Sequence, residues 1–260
     1  MSTVGVIGGG FVGSATAWGL RPVFDVKVYD KDPKACTHSF EDTKNSDFLF
    51  ICVPTPPKED WSCDLSIVES ICESLSPSDQ EVIIKSTVLP GTCRKMSEKY
   101  NLKVSSNPEF LTERRAKWNF INAAQVLIGS DSPDSRTKIQ GLYEARFHSM
   151  KYTITDTVTS ELIKYTLNSF LATKVSFMNE VKMLCDKIGA DWEDLIEGFT
   201  GDSRIGDSHI DVPGPDGELG FGGKCFPKDI NALIELFNKN NINPLVMKAA
   251  WERNKALREI

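Results

Sequence analysis

Short apolar runs alternate with amphipathic segments over the first 150 residues. Runs that predict β-strands lie at residues 3–8, 26–30, 48–53, 81–85, 103–106 and 125–129. The run FLFICV is apolar on both faces, as expected of a central parallel strand covered by helices on each side. Helical spacing follows at residues 11–20, 65–75 and 134–144. This alternation predicts an α/β domain with a doubly wound parallel sheet over residues 1–153.

From Asp156 onwards the pattern is helical. The stretch that ends at Gly189 contains no proline and no earlier glycine, and Thr157 or Ser160 can begin a helix there. At about 1.5 Å of rise per residue this helix spans roughly 45 Å, longer than most globular helices. Further helices are predicted at residues 191–198, 227–239 and 244–260. We therefore expect an all-helical second domain over residues 154–260.

A glycine-rich turn follows the first predicted strand. Gly8, Gly10 and Gly13 have G-x-G-x-x-G spacing, enclose Phe11 and Val12, and open the first helix, while the second strand ends in Asp30. An acid at that point accepts hydrogen bonds from ribose hydroxyls and repels a 2′-phosphate. The motif predicts a Rossmann-type site for NAD. A glycine turn that binds nothing, with Asp30 as a solvated strand end, is the alternative.

The most unusual local pattern surrounds Cys225, which is followed by Phe226, Pro227, Lys228 and Asp229. Glycines precede it at positions 217, 220, 222 and 223. Pro227 is well placed in the first turn of a helix, so Cys225 is expected at a helix N-terminus, where main-chain amides and Lys228 favour the thiolate. This pattern predicts a reactive thiol. A buried structural cysteine is the alternative.

Composition narrows the class of protein. Hydrophobic residues make up 40% and charged residues 25%, as in ordinary globular proteins, and the net charge of −6 without a basic run gives no support for binding nucleic acid or anionic membranes. We expect no signal peptide, and no apolar run reaches the length of about 18 residues that a membrane span needs. The seven cysteines are never spaced C-x-x-C, and the three histidines are far apart. We therefore expect reduced thiols, a cytoplasmic location and no metal.

Six segments occur together in one order that resembles the UDP-glucose/GDP-mannose dehydrogenase family. They are FICVPTP (50–56), KSTVLPGT (85–92), SNPEFL (106–111) followed by Glu113, SELIKYTLNSFLATKVSFMNE (160–180), GDSRIG (201–206) and GFGGKCFPKD (220–229). The resemblance implies an enzyme that uses NAD to oxidise the C6 alcohol of a nucleotide sugar twice, through a cysteine-bound intermediate. UDP-glucose, giving UDP-glucuronate, is the first substrate that it implies.

The resemblance also implies roles for individual residues. Cys225 would attack the C6 aldehyde, Lys164 and Asn168 would support the oxyanion, and Asp229, Glu109 and Thr87 would handle water and protons. Contacts with NAD are implied for Val53, Pro54, Thr55, Ser86, Thr87, Glu113 and Lys228. Contacts with the substrate are implied for Glu109, Phe110, Leu111, Lys164, Asn168, Arg204, Gly220, Phe221 and Gly222. The alternatives are a lysine and an asparagine on a wet helix face, and carboxylates that cap helices or lie on the surface.

Three departures from the family pattern stand out. Lys224 precedes the cysteine where the family commonly has a small residue, and the loop HIDVPGPDGELG differs. The family's third, nucleotide-binding domain is expected to be lacking after residue 260.

A homodimer is expected because the long helix is only partly covered by its own chain, with Arg204 then reaching the partner's site. Two alternative functions stay open: a two-electron hydroxyacid dehydrogenase that needs no cysteine, and a non-catalytic NAD-binding protein.

Overall fold

The computed structural model describes residues 2–75 and 79–259. The chain divides into two compact units, the first formed by Met1–Pro56 and Cys63–Lys164 and the second by Pro57–Ser62 and Tyr165–Ile260. The first unit is α/β and the second is helical, which confirms the predicted fold class.

The first unit contains one seven-stranded sheet. Its strands are β1 (Thr3–Ile7), β2 (Asp25–Tyr29), β3 (Phe48–Ile51), β4 (Glu81–Ile84), β5 (Lys103–Ser106), β6 (Val126–Gly129) and β7 (Tyr152–Thr155), in the order β2-β1-β3-β4-β5-β6-β7. All pairings are parallel except the single antiparallel bridge between β5 and β6. All six predicted strands are present. Strand β7 was not predicted, because its side chains are partly buried or exposed and its sequence YTIT has no apolar run.

Helices cover both faces of this sheet. They are α1 (Phe11–Leu20), α2 (Phe40–Lys44), α3 (Ser66–Leu75), α4 (Thr92–Tyr100), α5 (Ala116–Ile121) and α6 (Pro133–Arg146). Phe50 belongs to the buried cluster on one face, whereas Leu49 and Ile51 belong to the cluster on the other. This alternation follows from the twofold repeat of a strand and explains why the third predicted strand is apolar on both sides.

The second unit is built around the long helix α7 (Thr157–Ile188), whose first turns belong to the first unit. The helix begins at Thr157 and ends just before Gly189, as predicted, but its N-terminal cap is Asp156, which accepts a hydrogen bond from the Thr159 N–H at 3.0 Å. The remaining helices are α8 (Trp192–Thr200), α9 (Phe226–Lys239) and α10 (Leu245–Arg258). The predicted final residue of the last helix, Ile260, lies outside the described residues.

Apolar contacts join these helices. Ala172 and Val175 of α7 pack with Ile230 and Ile234 of α9 and with Ala250 of α10. The segment Pro57–Ser62 also belongs to this unit, and its Trp61 ring meets the Trp251 ring edge-on at 5.6 Å. Within the described residues, no helix is both long enough and apolar enough to cross a membrane.

Candidate active site

The glycine turn after β1 has the geometry that a dinucleotide needs. Gly8 has a φ of +101°, and a Cβ there would lie 2.4 Å from the Cys52 carbonyl oxygen. A Cβ on Gly13 would lie 1.7 Å from the Gly8 carbonyl oxygen, whereas the same position on Gly10 meets nothing within 4 Å. Gly8 and Gly13 are therefore required by the chain's own packing, and Gly10 leaves an open approach to the start of α1. An anionic diphosphate fits this place, because the first amides of a helix point outwards and carry partial positive charge.

Asp30 lies beside that turn. Its Oδ2 accepts a hydrogen bond from the Gly9 N–H at 2.5 Å, and its Oδ1 accepts one from the Asp32 N–H at 2.8 Å. Each oxygen keeps a second lone pair, so the carboxylate can accept from ribose hydroxyls while it holds the turn. The residues present thus fit NAD.

The loops after β3 and β4 lie at the same edge of the sheet. The Thr55 hydroxyl donates to the Thr87 carbonyl at 2.7 Å, and the Ser86 hydroxyl donates to the Val53 carbonyl at 2.7 Å. The sheet order reverses between β1 and β3, and ligands of doubly wound sheets bind at such a switch point. Pro54 lies exposed in the same loop. The structure therefore brings most of the predicted cofactor residues of this unit to one edge.

A cavity of about 540 Å³ opens next to the start of α1. It is lined by Phe11 and Ser14 of the helix and by residues 113–118. Glu113 belongs to this lining and begins the 3-10 turn Glu113–Arg115. Glu113, one of the predicted cofactor residues, thus faces this cavity.

A buried ion pair follows β5. The Lys164 ammonium donates to the Glu109 carbonyl at 2.6 Å and to Glu109 Oε1 at 3.1 Å, and both side chains are less than one-tenth exposed. Glu109 Oε2 accepts from the Leu111 N–H at 2.6 Å, and the Lys164 ammonium also lies 5.3 Å from the centre of the Phe110 ring. Removing one partner of such a pair costs about 3–5 kcal/mol, because the other charge stays buried. Lys164 is therefore not on a wet helix face.

The sequence analysis did not single out the polar group behind this pair. The Lys85 ammonium donates to Asn107 Oδ1 at 2.8 Å, and the Tyr143 hydroxyl donates to the same oxygen at 2.5 Å. Burial lowers the pKa of Lys85 to about 8. Asn107 stands two residues before Glu109, so these bonds help to fix the turn that carries Glu109. Lys85, directly after the buried strand β4, is the one member of this group that the sequence could have indicated. Nothing in the sequence pointed to Tyr143.

In the second unit, Asp229 is the centre of a buried polar group. Its Oδ2 accepts from the Asn168 side-chain amide at 2.6 Å, and its Oδ1 accepts from the Lys228 ammonium at 2.5 Å. Asp229 is only 1% exposed, so a carboxylate there needs both of these partners. Asn168 is likewise buried rather than on a wet face. Lys164 and Asn168 lie one turn apart on α7, Lys164 in the first unit and Asn168 in the second.

Cys225 immediately precedes the first residue of α9. Pro227 lies in the first turn of that helix, and the Asp229 N–H donates to the Cys225 carbonyl at 2.8 Å. Cys225 is exposed, while the other cysteines are buried or partly buried, so it is not a buried structural cysteine. Lys224 beside it is exposed as well. Gly223 has a φ of +76° and meets nothing within 4 Å at its Cβ position, so main chain is accessible next to the thiol.

Gly220 and Gly222 of this loop are required by packing. A Cβ on Gly220 would lie 2.5 Å from Asn254 Oδ1, and one on Gly222 would lie 2.5 Å from Arg258 Nη1. Phe221 is buried in the core of the unit, and its N–H donates to Asn254 Oδ1 at 2.6 Å. These two side chains of α10 pack against the main chain at Gly220 and Gly222. Contact of Gly220, Phe221 or Gly222 with the substrate stays a prediction.

Arg204 is not gathered with the other predicted site residues of its unit. Its side chain is 86% exposed and pairs with Asp202, with 2.5 Å between Nη2 and Oδ2. A role for Arg204 at a partner's site therefore stays a prediction. Among the residues that the structure describes, no group of three or more His, Cys, Asp or Glu side chains is placed to hold a metal ion.

Two regions of the chain match domains of one known protein family. Residues 19–147 match the NAD binding domain of the UDP-glucose/GDP-mannose dehydrogenase family, and residues 158–256 match its central domain. A UDP-glucose 6-dehydrogenase of Rickettsia conorii is 40% identical over 253 residues, which is 91% of this chain and 57% of the relative. The chain spans about half the length of the curated relatives it matches.

Solved structures of dehydrogenases are also similar to this chain. A UDP-glucose dehydrogenase from Pyrobaculum islandicum has a TM-score of 0.88 at 29% identity, covering 98% of this chain and 68% of that one. A UDP-D-ManNAc dehydrogenase from Pyrococcus horikoshii has a TM-score of 0.83 at 23% identity with the same coverage, and shows the fold alone. The matched domain shows that the cofactor is NAD. The two matched domains and the relatives show that this chain belongs to the UDP-glucose/GDP-mannose dehydrogenase family.

Proposed function

We propose that this chain carries out NAD-dependent, four-electron oxidation of the C6 alcohol of a nucleotide sugar, with UDP-glucose as the first substrate to test. The observation that carries the proposal is the exposed Cys225 at the start of α9, one turn before the buried Asp229. A hydroxyacid dehydrogenase that transfers two electrons needs no thiol there.

The thiol divides the reaction into two oxidations. NAD, when bound, accepts one hydride in each. After the first, the alcohol has become an aldehyde, and Cys225 Sγ adds to its carbon while the oxygen takes a proton, giving a thiohemiacetal. Loss of the second hydride and of the hydroxyl proton leaves a thioester. Water then adds to the thioester, the C–S bond breaks, and the products are the carboxylate and the restored thiol.

Hydrogen-bond capacity supports the proposed roles of Lys164 and Asn168. The Lys164 ammonium has three N–H groups and makes two hydrogen bonds to Glu109. The Asn168 amide has two N–H groups and donates one to Asp229. Each side chain thus keeps one donor for an oxygen that gains negative charge, which is the contribution of an oxyanion hole.

Fixed carboxylates support the proposed handling of water. Both oxygens of Glu109 are held, by Lys164 and by the Leu111 N–H, and each retains a lone pair for a water proton. Asp229 fixes the amide of Asn168 and the ammonium of Lys228. We assign the general base for hydrolysis to Glu109, assisted by Thr87, and the orientation of Asn168 to Asp229.

The stoichiometry tests this function. Two NADH formed per UDP-glucose, with UDP-glucuronate as the product, is the expected result for the unaltered chain. Cys225→Ser should bind NAD with unchanged affinity but fail to complete the second oxidation, whereas Cys185→Ser, far along α7 at a buried cysteine, should leave the stoichiometry at two. One NADH per sugar with free aldehyde released would favour a two-electron enzyme instead. NAD binding with no turnover of any UDP- or GDP-sugar would indicate a non-catalytic protein.

We also propose the domain boundaries and the cellular location of the protein. Residues 1–153 would be the NAD-binding domain and residues 154–260 the central domain, which the two matched regions support. A cytoplasmic location suits the cysteines, which form no disulfide within the described part of the chain.

We further propose that the chain forms a homodimer through α7. On α7 the side chains of Phe170, Phe177 and Leu184 are 66%, 55% and 59% exposed, and they recur every seventh residue. A heptad of exposed apolar residues is typical of a helix that packs along another helix. A second copy of the same chain offers the matching stripe through a twofold contact.

A further inference from the structure

The cavity beside α1 differs in charge from the rest of the chain. Its lining includes the cations Arg114, Arg115 and Lys117 and one carboxylate, Glu113, so the local balance is three positive charges against one negative. The whole chain carries a net charge of −6. A cationic cavity on an acidic protein favours an anionic ligand.

No contact with the described residues accounts for the position of the Arg115 side chain. It is exposed and lines the cavity, and its side chain makes no hydrogen bond or ion pair with any described residue. It stands at the N-cap of α5 but forms no side-chain cap bond there. Lys117, in contrast, holds its ammonium 5.9 Å from the centre of the Trp18 ring of α1. The guanidinium fork of Arg115 is therefore available for a phosphate, which arginine binds through two parallel hydrogen bonds.

The position of the cavity indicates which phosphate-containing ligand it would hold. Phe11 and Ser14 of α1 form its other wall, and this helix starts directly after the open side of Gly10. Its first turn contains no acid that would oppose an anion. The diphosphate of a dinucleotide lies at this place in a doubly wound sheet.

We propose that Arg115 is a positioning residue for the cofactor, binding the diphosphate of NAD from the side opposite the glycine turn, with Lys117 adding charge. The inference concerns cofactor binding alone, so it does not depend on the proposed reaction. The nucleotide sugar also contains a diphosphate, and the experiment separates the two sources.

Titration calorimetry on the full chain tests the assignment with four ligands: NAD, ADP-ribose, adenosine and UDP. Arg115→Ala should weaken NAD and ADP-ribose about tenfold each, the effect of losing one charge-assisted phosphate contact. Adenosine, which has no phosphate, should bind as before. The loss should shrink as salt is raised, because screening weakens the contact in the unaltered chain. Arg115→Lys should recover part of the affinity, since it keeps the charge but not the fork.

Arg21→Ala is the matched control, because Arg21 is an exposed arginine at the opposite end of α1. It should change none of the four affinities. Unchanged ADP-ribose binding in Arg115→Ala would overturn the proposal, as would an equal loss for adenosine, which would indicate a disturbed fold. A loss confined to UDP would assign the residue to the substrate's diphosphate and would also overturn it.

Discussion

Glu161 provides a carboxylate where the start of helix α4 lacks hydrogen-bond acceptors. Its Oε2 accepts from the Gly91 N–H at 2.5 Å and its Oε1 from the Cys93 N–H at 2.8 Å. The side chain is 2% exposed, and burial raises the pKa of Glu161 to about 7 in spite of these two bonds. The residue therefore joins α7 to α4 while it remains easy to protonate.

This balance gives a pH-dependent stability. An unfolded glutamate has a pKa near 4.5, so between about pH 4.5 and 7 the folded state holds more protons than the unfolded state. The contribution of Glu161 to the free energy of unfolding should therefore fall as the pH rises through this window, by at most about 1.4 kcal/mol per pH unit. In Glu161→Gln that component should disappear, so the difference between the two proteins should change with pH. Urea unfolding at pH 5, 6 and 7 measures it, and a pH-independent difference would contradict the assignment.

At the scale of elements, burial explains what the sequence could predict. Strand β3 was predicted because both of its faces are buried, which leaves a continuous apolar run. Strand β7 was missed because Ile154 is 41% exposed and its neighbours are only partly buried. The start of α9 was predicted from Pro227, a local signal. Local signals of this kind do not depend on the rest of the fold.

The partners within the site could not be predicted in the same way. Glu109 and Lys164 are 55 residues apart, and Asn168 and Asp229 are 61 apart. Their pairing depends on how the elements pack, and only the family resemblance brought them into one list. The segment Pro57–Ser62 shows the same limit, since nothing local indicates that it packs with the helical unit.

That segment contains a strained residue. Trp61 has a φ of +62°, a conformation that costs a residue with a side chain about 1–2 kcal/mol relative to glycine. Its ring contact with Trp251 offsets this cost, because an edge-to-face aromatic pair is worth about 0.5–1.5 kcal/mol beyond the area it buries.

Two substitutions separate the backbone cost from the ring contact. Trp61→Ala loses the contact and keeps the strained backbone, whereas Trp61→Gly loses the contact and relieves the strain. The glycine variant should therefore be more stable than the alanine variant by roughly 1 kcal/mol. Trp61→Ala should also be less stable than the unaltered chain, because it loses the ring contact and keeps the strain. Urea unfolding of the three proteins measures the differences, and equal stability of the two variants would show that position 61 is not strained.

At the scale of the whole molecule, the stripe formed by Phe170, Phe177 and Leu184 determines the state of association that we expect. Exposed apolar area of this kind favours association by about 25 cal/mol per Å² that becomes buried. Each copy has a net charge of −6, so two copies repel each other. Apolar burial therefore has to overcome this repulsion, and salt should strengthen the dimer by screening it.

Phe177→Asp tests the proposed dimer, because Phe177 is the middle residue of the stripe and is 55% exposed within its own chain. The aspartate would be buried without a partner at the contact between copies, whereas in the single chain it would remain in water. Sedimentation velocity at micromolar concentration should then show a monomer for Phe177→Asp and a dimer for both the unaltered chain and the conservative control Phe177→Leu. Circular dichroism should show the same helix content in all three, since the side chain is not part of the core. A dimer that persists in Phe177→Asp would exclude this face of α7, and a monomer in the unaltered chain would remove the dimer from the proposed function. Dimerisation that weakens as salt is raised would show that ion pairs, and not the apolar stripe, hold the two copies together.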